Sequence, residues 1–139
     1  MIIEGARQVG KTWLMKEFGK RYYEQCFYFN FDEEEELKSI FLTNKDPYRI
    51  IQLLGLIVEG KIEPEKHLII FDEVQECPEA LNTLKYFYEK ANDYHVIAAG
   101  SLLGTLLAQP KSYPVGKVNI LYLNPLQKLF LLLNQHTKL

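Results

Sequence analysis

Gly5-Ala6-Arg7-Gln8-Val9-Gly10-Lys11-Thr12 lies between a short apolar start, Met1–Glu4, and a segment, Lys11–Arg21, that sets Leu14 and Phe18 one helical turn apart. The octapeptide satisfies G-x-x-x-x-G-K-[ST] at every fixed position. Glycines let such a loop fold back so that successive N–H groups face an anion, and the helix that follows adds the partial positive charge of its N-terminus. In this pattern Lys11 reaches the β- and γ-phosphates of a nucleotide, and the Thr12 hydroxyl supplies one oxygen to Mg²⁺. With glycine at about 7 % of residues, a chance match in a chain of this size is on the order of one in a few hundred. The strand–loop–helix context lowers that further. The stretch therefore predicts a phosphate-binding loop made of Gly5, Ala6, Arg7, Gln8, Val9, Gly10, Lys11 and Thr12.

Working outward, Leu68-Ile69-Ile70-Phe71 is an apolar run of strand length that ends in Asp72-Glu73. In a parallel sheet the carboxyl end of such a strand opens beside the phosphate loop, where ligands bind. Asp72 is the expected metal-holding carboxylate, acting through the water shell that Mg²⁺ gives up reluctantly. Glu73, aimed elsewhere, is the expected group to polarise the attacking water. Alone, an acidic pair after a strand is as well explained by helix capping. Pro78-Glu79 is the better opening for the next helix, however, and the phosphate loop makes the pair the second half of one site.

Similar runs recur at Cys26–Phe31, His95–Ala99 and Val118–Leu123. Consecutive apolar positions suit strands covered on both faces. Between them lie helical patterns. Asp32 with Glu35 three residues on reads as a capping box for a helix through about Phe41. Asp46-Pro47 is an N-cap with proline at the first helical position, leading into an apolar stretch, Ile50–Val58, that ends at Gly60. Pro78–Ala91 carries Leu81, Leu84, Phe87, Tyr88 and Ala91 at helical spacing. Strand and helix in alternation predict an α/β fold with a doubly wound parallel sheet.

At 139 residues, 47 % hydrophobic and 24 % charged, the chain has the size and composition of one domain with a packed core. Its formal net charge of −2 gives no electrostatic support for nucleic acid as a partner. Two unpaired-looking cysteines, Cys26 and Cys77, argue against a disulfide framework and for a cytoplasmic location. No apolar run reaches the roughly 18 residues that a membrane span needs. The acidic run Asp32–Glu36 reads as a solvated first helical turn.

Weaker marks complete the site. Ser101 follows the fourth strand, where a polar side chain can sense the γ-phosphate or hold water; a cap on a short helix over Leu102–Leu107 is the alternative, and both can hold together. Gln75 is polar support or loop. Arginine occurs only at Arg7, Arg21 and Arg49, so Lys117 is the one cation near the fifth strand, read chiefly as a solvated loop residue. His67, His95 and His136 show no ligand spacing. The nine tyrosines and eight phenylalanines read as core packing.

The text GARQVGKTWL (Gly5–Leu14), LIIFDEVQECP (Leu68–Pro78), AAGSLLG (Ala98–Gly104), SYPVGKV (Ser112–Val118) and NPL (Asn124–Leu126) resembles a prokaryotic group of AAA-type, ASCE-class P-loop ATPases that usually carry a further C-terminal domain. The resemblance implies a P-loop NTPase three-layer α/β/α sandwich with a five-stranded, mainly parallel sheet of order 5-1-4-3-2. It implies ATP and Mg²⁺ as ligands and hydrolysis as the activity. By position it gives Gly5, Gly10, Lys11 and Thr12 to phosphate and metal, Asp72 to metal, Glu73 to the base and Ser101 to a sensor. On this reading residues 1–125 are the ATPase core, and 126–139 are a helical tail left from a shortened segment. Slow Mg-dependent hydrolysis is the leading expectation. A nucleotide-dependent switch or scaffold without turnover, and a truncated remnant, are the alternatives. A homo-oligomer or the missing C-terminal domain are the partners the resemblance leaves open.

Overall fold

Runs of consecutive apolar residues become strands covered on both faces. The computed structural model describes residues 1–5 and 10–101, and the backbone of 120–122. In chain order the elements are β1 (Ile2–Glu4), α1 (Lys11–Tyr22), β2 (Gln25–Asn30), α2 (Glu35–Thr43), α3 (Pro47–Ile57), β3 (His67–Asp72), α4 (Pro78–Lys90), β4 (His95–Gly100) and β5 (Ile120–Tyr122). Strands β1 to β4 are described with their side chains, and β5 pairs with β1 in backbone alone. The order across the sheet is β2-β3-β4-β1-β5, and every pairing is parallel. Counted from the other edge, this is the order that the resemblance implies.

Alternation along the strands sorts side chains into two cores. Ile2, Phe27, Phe29, Ile69, Phe71 and Ala98 face one way and pack with Leu37 and Phe41 of α2, Ile50 and Leu54 of α3, and Leu81 and Leu84 of α4. Ile3, Leu68, Ile70, Ile97 and Ala99 face the other way and meet Leu14 and Met15 of α1. The larger core is anchored by edge-on rings: Phe71 lies 5.6 Å from Phe31 and 5.4 Å from Phe41, centroid to centroid. All six residues of β3, which lies between β2 and β4, are buried.

The helix ends follow local chemistry. Asp46 accepts a hydrogen bond from the Tyr48 N–H at 3.1 Å, with Pro47 opening α3, as that dipeptide predicts. The predicted Asp32–Glu35 capping box does not form. Helix α2 starts at Glu35, its N-cap is Glu34, and no side chain caps it. Instead the Asn30 side chain accepts from the Asp32 N–H at 2.9 Å, and its carbonyl accepts from Glu33 and Glu34. The turn after β2 is closed by Asn30, which leaves Asp32 outside capping position; Glu35 and Glu36 remain in the first turn, where the helix dipole favours them. Ala6–Val9, Lys117, the expected helix over Leu102–Leu107 and the tail 126–139 lie outside the described residues.

Candidate functional site

The parallel register brings the carboxyl ends of β1, β3 and β4 side by side. Phe71 is opposite Ala98, and Glu4 is opposite Gly100, so the turns that leave these strands emerge together. From β1 the chain enters the loop that ends at Gly10, whose φ of 85° lies in the left-handed region. A side chain is strained there and glycine is not, so this position turns the loop into α1. Lys11 and Thr12 are then the first two residues of that helix.

Lys11 is only 6 % exposed, and its Nζ donates to the Gly5 carbonyl at 2.7 Å, across the mouth of the loop. Thr12 lies beside Asp72, sixty residues further on: its hydroxyl donates to Asp72 Oδ2 at 2.5 Å. Asp72 is 1 % exposed, so protein donors take the place of its water. Besides Thr12, the Tyr28 hydroxyl donates to the same Oδ2 at 2.6 Å, and the Glu73 N–H donates to Oδ1 at 2.9 Å. Thr12 and Asp72, named from sequence, thus meet, and Lys11 is next to Thr12 at the start of α1.

Tyr28 is the member that sequence reasoning missed. Burial pushes its pKa above the ordinary value of 10.0, and the hydrogen bond to Asp72 adds to the effect. The phenol therefore stays protonated at neutral pH and acts as the donor to the carboxylate. Asn30 Nδ2 donates to the Tyr28 oxygen at 3.4 Å, and the Lys16 ammonium sits 4.0 Å from the ring centroid. The available signal was alternation: Tyr28 and Asn30 fall on the β2 face opposite Phe27, Phe29 and Phe31, and Asn30 pairs with Asp72 in register.

Glu73 follows Asp72 with a left-handed backbone, at φ 53° and ψ 44°. For a residue with a Cβ this conformation costs on the order of 1 kcal/mol, and it recurs at functional sites. Its carboxylate accepts from Gln75 Nε2 at 2.5 Å. Gln75 Oε1 in turn accepts from the backbone N–H of Ser101 at 3.3 Å. Ser101 is buried at the end of β4. Gln75, which the sequence left between support and loop, thus bridges the turn after β3 and the end of β4.

The other polar candidates lie apart from this cluster. His67, at the start of β3, accepts from the Glu63 N–H at 2.9 Å, and His95, at the start of β4, shares a 2.7 Å hydrogen bond with Tyr23. Both are at the opposite ends of their strands from Asp72 and Ser101. Arg21 pairs with Glu17 at 3.2 Å, and Arg49 caps carbonyls of Ile40 and Asn44. Among the described residues no helix is long and apolar enough to cross a membrane.

A family described as "AAA domain" matches residues 1–128. Among solved structures, a chain of the Drosophila ORC bound to AT-rich DNA and Cdc6 superposes with a TM-score of 0.50 at 13 % identity. The superposition covers 89 % of this chain and 48 % of that one, so the chain spans about half the length of its structural neighbour. At this identity the likeness is one of fold. No curated protein is significantly similar to the sequence.

Proposed function

Starting from the premise that the chain belongs to the AAA domain family, and so carries an AAA-type P-loop ATPase core, we propose that it binds ATP with Mg²⁺ and hydrolyses it slowly. The carrying observation is the 2.5 Å hydrogen bond from Thr12 to Asp72. It joins the end of the phosphate loop to the carboxylate at the end of β3, the pairing that one shared metal ion requires.

The donor set suits magnesium. Both groups offer hard oxygen atoms. A hydroxyl has one proton and two lone pairs, so Thr12 can donate to Asp72 and still present a lone pair to a cation. Among the described residues no group of three or more His, Cys, Asp and Glu side chains gathers to hold a metal. Phosphate and water oxygens would then supply the remaining ligands, as is usual for this ion. When bound, Mg²⁺ would neutralise charge on the β- and γ-phosphate oxygens.

The protein's own part is positional. Lys11 would exchange the Gly5 carbonyl for phosphate oxygens, keeping its buried charge paired. The N-terminus of α1 would add its dipole to the same anion. Glu73 would orient a water for in-line attack on the γ-phosphorus; the new P–O bond forms as the bond to the β-phosphate bridging oxygen breaks, and Glu73 accepts the water proton. Ser101, at the end of β4, would contact the γ-phosphate. Arg21 and Arg49 are engaged elsewhere. Without an arginine from another chain, turnover is expected on the order of 10⁻⁴ to 10⁻³ per second, since such a residue contributes about 10³ to 10⁵. Residues 1–125 would form this core.

Mg·ATP titration and turnover of the wild type, Lys11→Ala and Glu73→Gln test the proposal. Lys11→Ala should abolish binding, and Glu73→Gln should bind but not hydrolyse. Binding without wild-type turnover would replace hydrolysis by a nucleotide-dependent switch. Absence of binding would leave a folded core without nucleotide function.

A further inference from the structure

We propose that Gln75 is a positioning residue that couples the end of β4 to the Glu73 carboxylate, so that whatever Ser101 meets is transmitted to the group that aims the attacking water. The inference rests on the hydrolysis reading above and adds a means of controlling it. Three observations carry it.

The first is the left-handed backbone of Glu73, a conformation that is costly for a residue with a Cβ and recurs at functional sites. The second is that Gln75 uses both ends of one amide: Nε2 donates to Glu73 at 2.5 Å and Oε1 accepts from the Ser101 N–H at 3.3 Å. A primary amide is planar and cannot move one end without the other. The third is the inequality of those distances. The Glu73 end is a short, charge-assisted bond, and the Ser101 end is a long, neutral one. The bridge therefore yields first at Ser101. A shift at the end of β4 frees Gln75 to turn with Glu73 still attached, and the carboxylate turns with it.

A side chain that only filled space here would need neither end of the amide. The placement is also economical in sequence. Gln75 lies two residues past Glu73 in the short 3-10 turn Val74–Glu76, and Val74 beside it is fully buried and fixes that turn to the core.

Two variants separate coupling from folding. Gln75→Ala removes both bonds. Gln75→Glu keeps an oxygen for the Ser101 N–H, loses the donor to Glu73 and sets two carboxylates together. Amide hydrogen exchange at Ser101, nucleotide affinity and kcat are measured for each, with thermal unfolding as the check on folding. Gln75→Ala should speed Ser101 exchange about fivefold, the effect of one ordinary hydrogen bond. It should lower kcat about 10- to 100-fold, the usual penalty for misplacing a reacting group, with ATP affinity changed by less than about twofold. Gln75→Glu should keep Ser101 protected and lose kcat to a similar degree. Unchanged exchange in Gln75→Ala, or wild-type kcat in both variants of a wild type that turns over, overturns the proposal. If the wild type binds ATP without turnover, the hydrolysis reading fails, and exchange at Ser101 decides the bridge by itself: faster in Gln75→Ala upholds it, equal rates overturn it.

Discussion

Replacing Tyr28 by phenylalanine removes a single oxygen from the candidate site and has a magnitude set by the structure. Asp72 is 1 % exposed and accepts from Thr12, Tyr28 and the Glu73 N–H. Among the described residues, loss of the phenol leaves Oδ2 with the Thr12 hydroxyl alone. A hydrogen bond to a charged group contributes about 1.5–3 kcal/mol. Asn30 also loses its contact at 3.4 Å, which is long enough to add little. The ring itself stays, with Lys16 against its face, so packing is conserved. Tyr28→Phe should therefore lose about 2 kcal/mol. With a urea m-value of about 2 kcal/mol/M for a domain of this size, the midpoint falls by about 1 M. Tyr88→Phe, at an exposed helix position, is the control and should stay within about 0.5 kcal/mol. The assay is equilibrium urea unfolding followed by tyrosine-independent far-UV dichroism. A Tyr28→Phe midpoint equal to that of the control would refute the reasoning, because Asp72 would then not depend on Tyr28 for its satisfaction.

Three further outcomes follow from the packing and the titratable groups. A Cβ at Gly19 would sit 2.8 Å from the Cys26 Cβ and 3.1 Å from Leu68 Cδ2, so Gly19→Ala trades about 1 kcal/mol of helix propensity for about 1–3 kcal/mol of overpacking; urea unfolding should show a net loss near 1 kcal/mol, and a gain would mean that α1 can back away from β2 and β3. Burial pushes the Cys77 thiol up to about 11, from 9.0. The folded state thus holds this proton more tightly than the unfolded chain does, so its contribution is present in full below pH 9 and is lost as pH rises towards 11. Stability measured by urea should fall across that window, and Cys77→Ala should flatten the fall. At pH 8 iodoacetamide should leave Cys77 unmodified until the chain unfolds; rapid labelling of the native protein would contradict its burial.

Much of the fold was legible because burial on both faces of a strand leaves a mark in one dimension. Leu68–Phe71 reads as a continuous apolar run, and all of β3 is buried. The turn into α1 was legible for a similar reason: the left-handed φ of Gly10 is a local requirement written into the motif. The partnership of Tyr28 with Asp72 was not, since it depends on which strand lies next to β3 and in what register. Tyr28 was lost among aromatic residues read as packing, and packing is what its neighbours Phe27 and Phe29 do. The capping reading of Asp32 failed on a competition between equals: Asn30, two residues earlier, closes the turn first. Gln75 needed the end of β4 beside it before its two contacts had meaning. Local chemistry is visible in the sequence, and chemistry that spans strands waits for the register.

The central claim is that Thr12 and Asp72 act on one magnesium ion, and the most direct measurement is the Mg²⁺ dependence of ATP affinity in a double-mutant cycle of Thr12→Val and Asp72→Asn. Each single variant should lose most of the affinity that Mg²⁺ confers, about tenfold. The double variant should lose little more than either, with a coupling of about 1 kcal/mol or above, as expected of two groups on a shared partner. Losses that simply add, or a Mg²⁺ dependence that survives in all three variants, would contradict it.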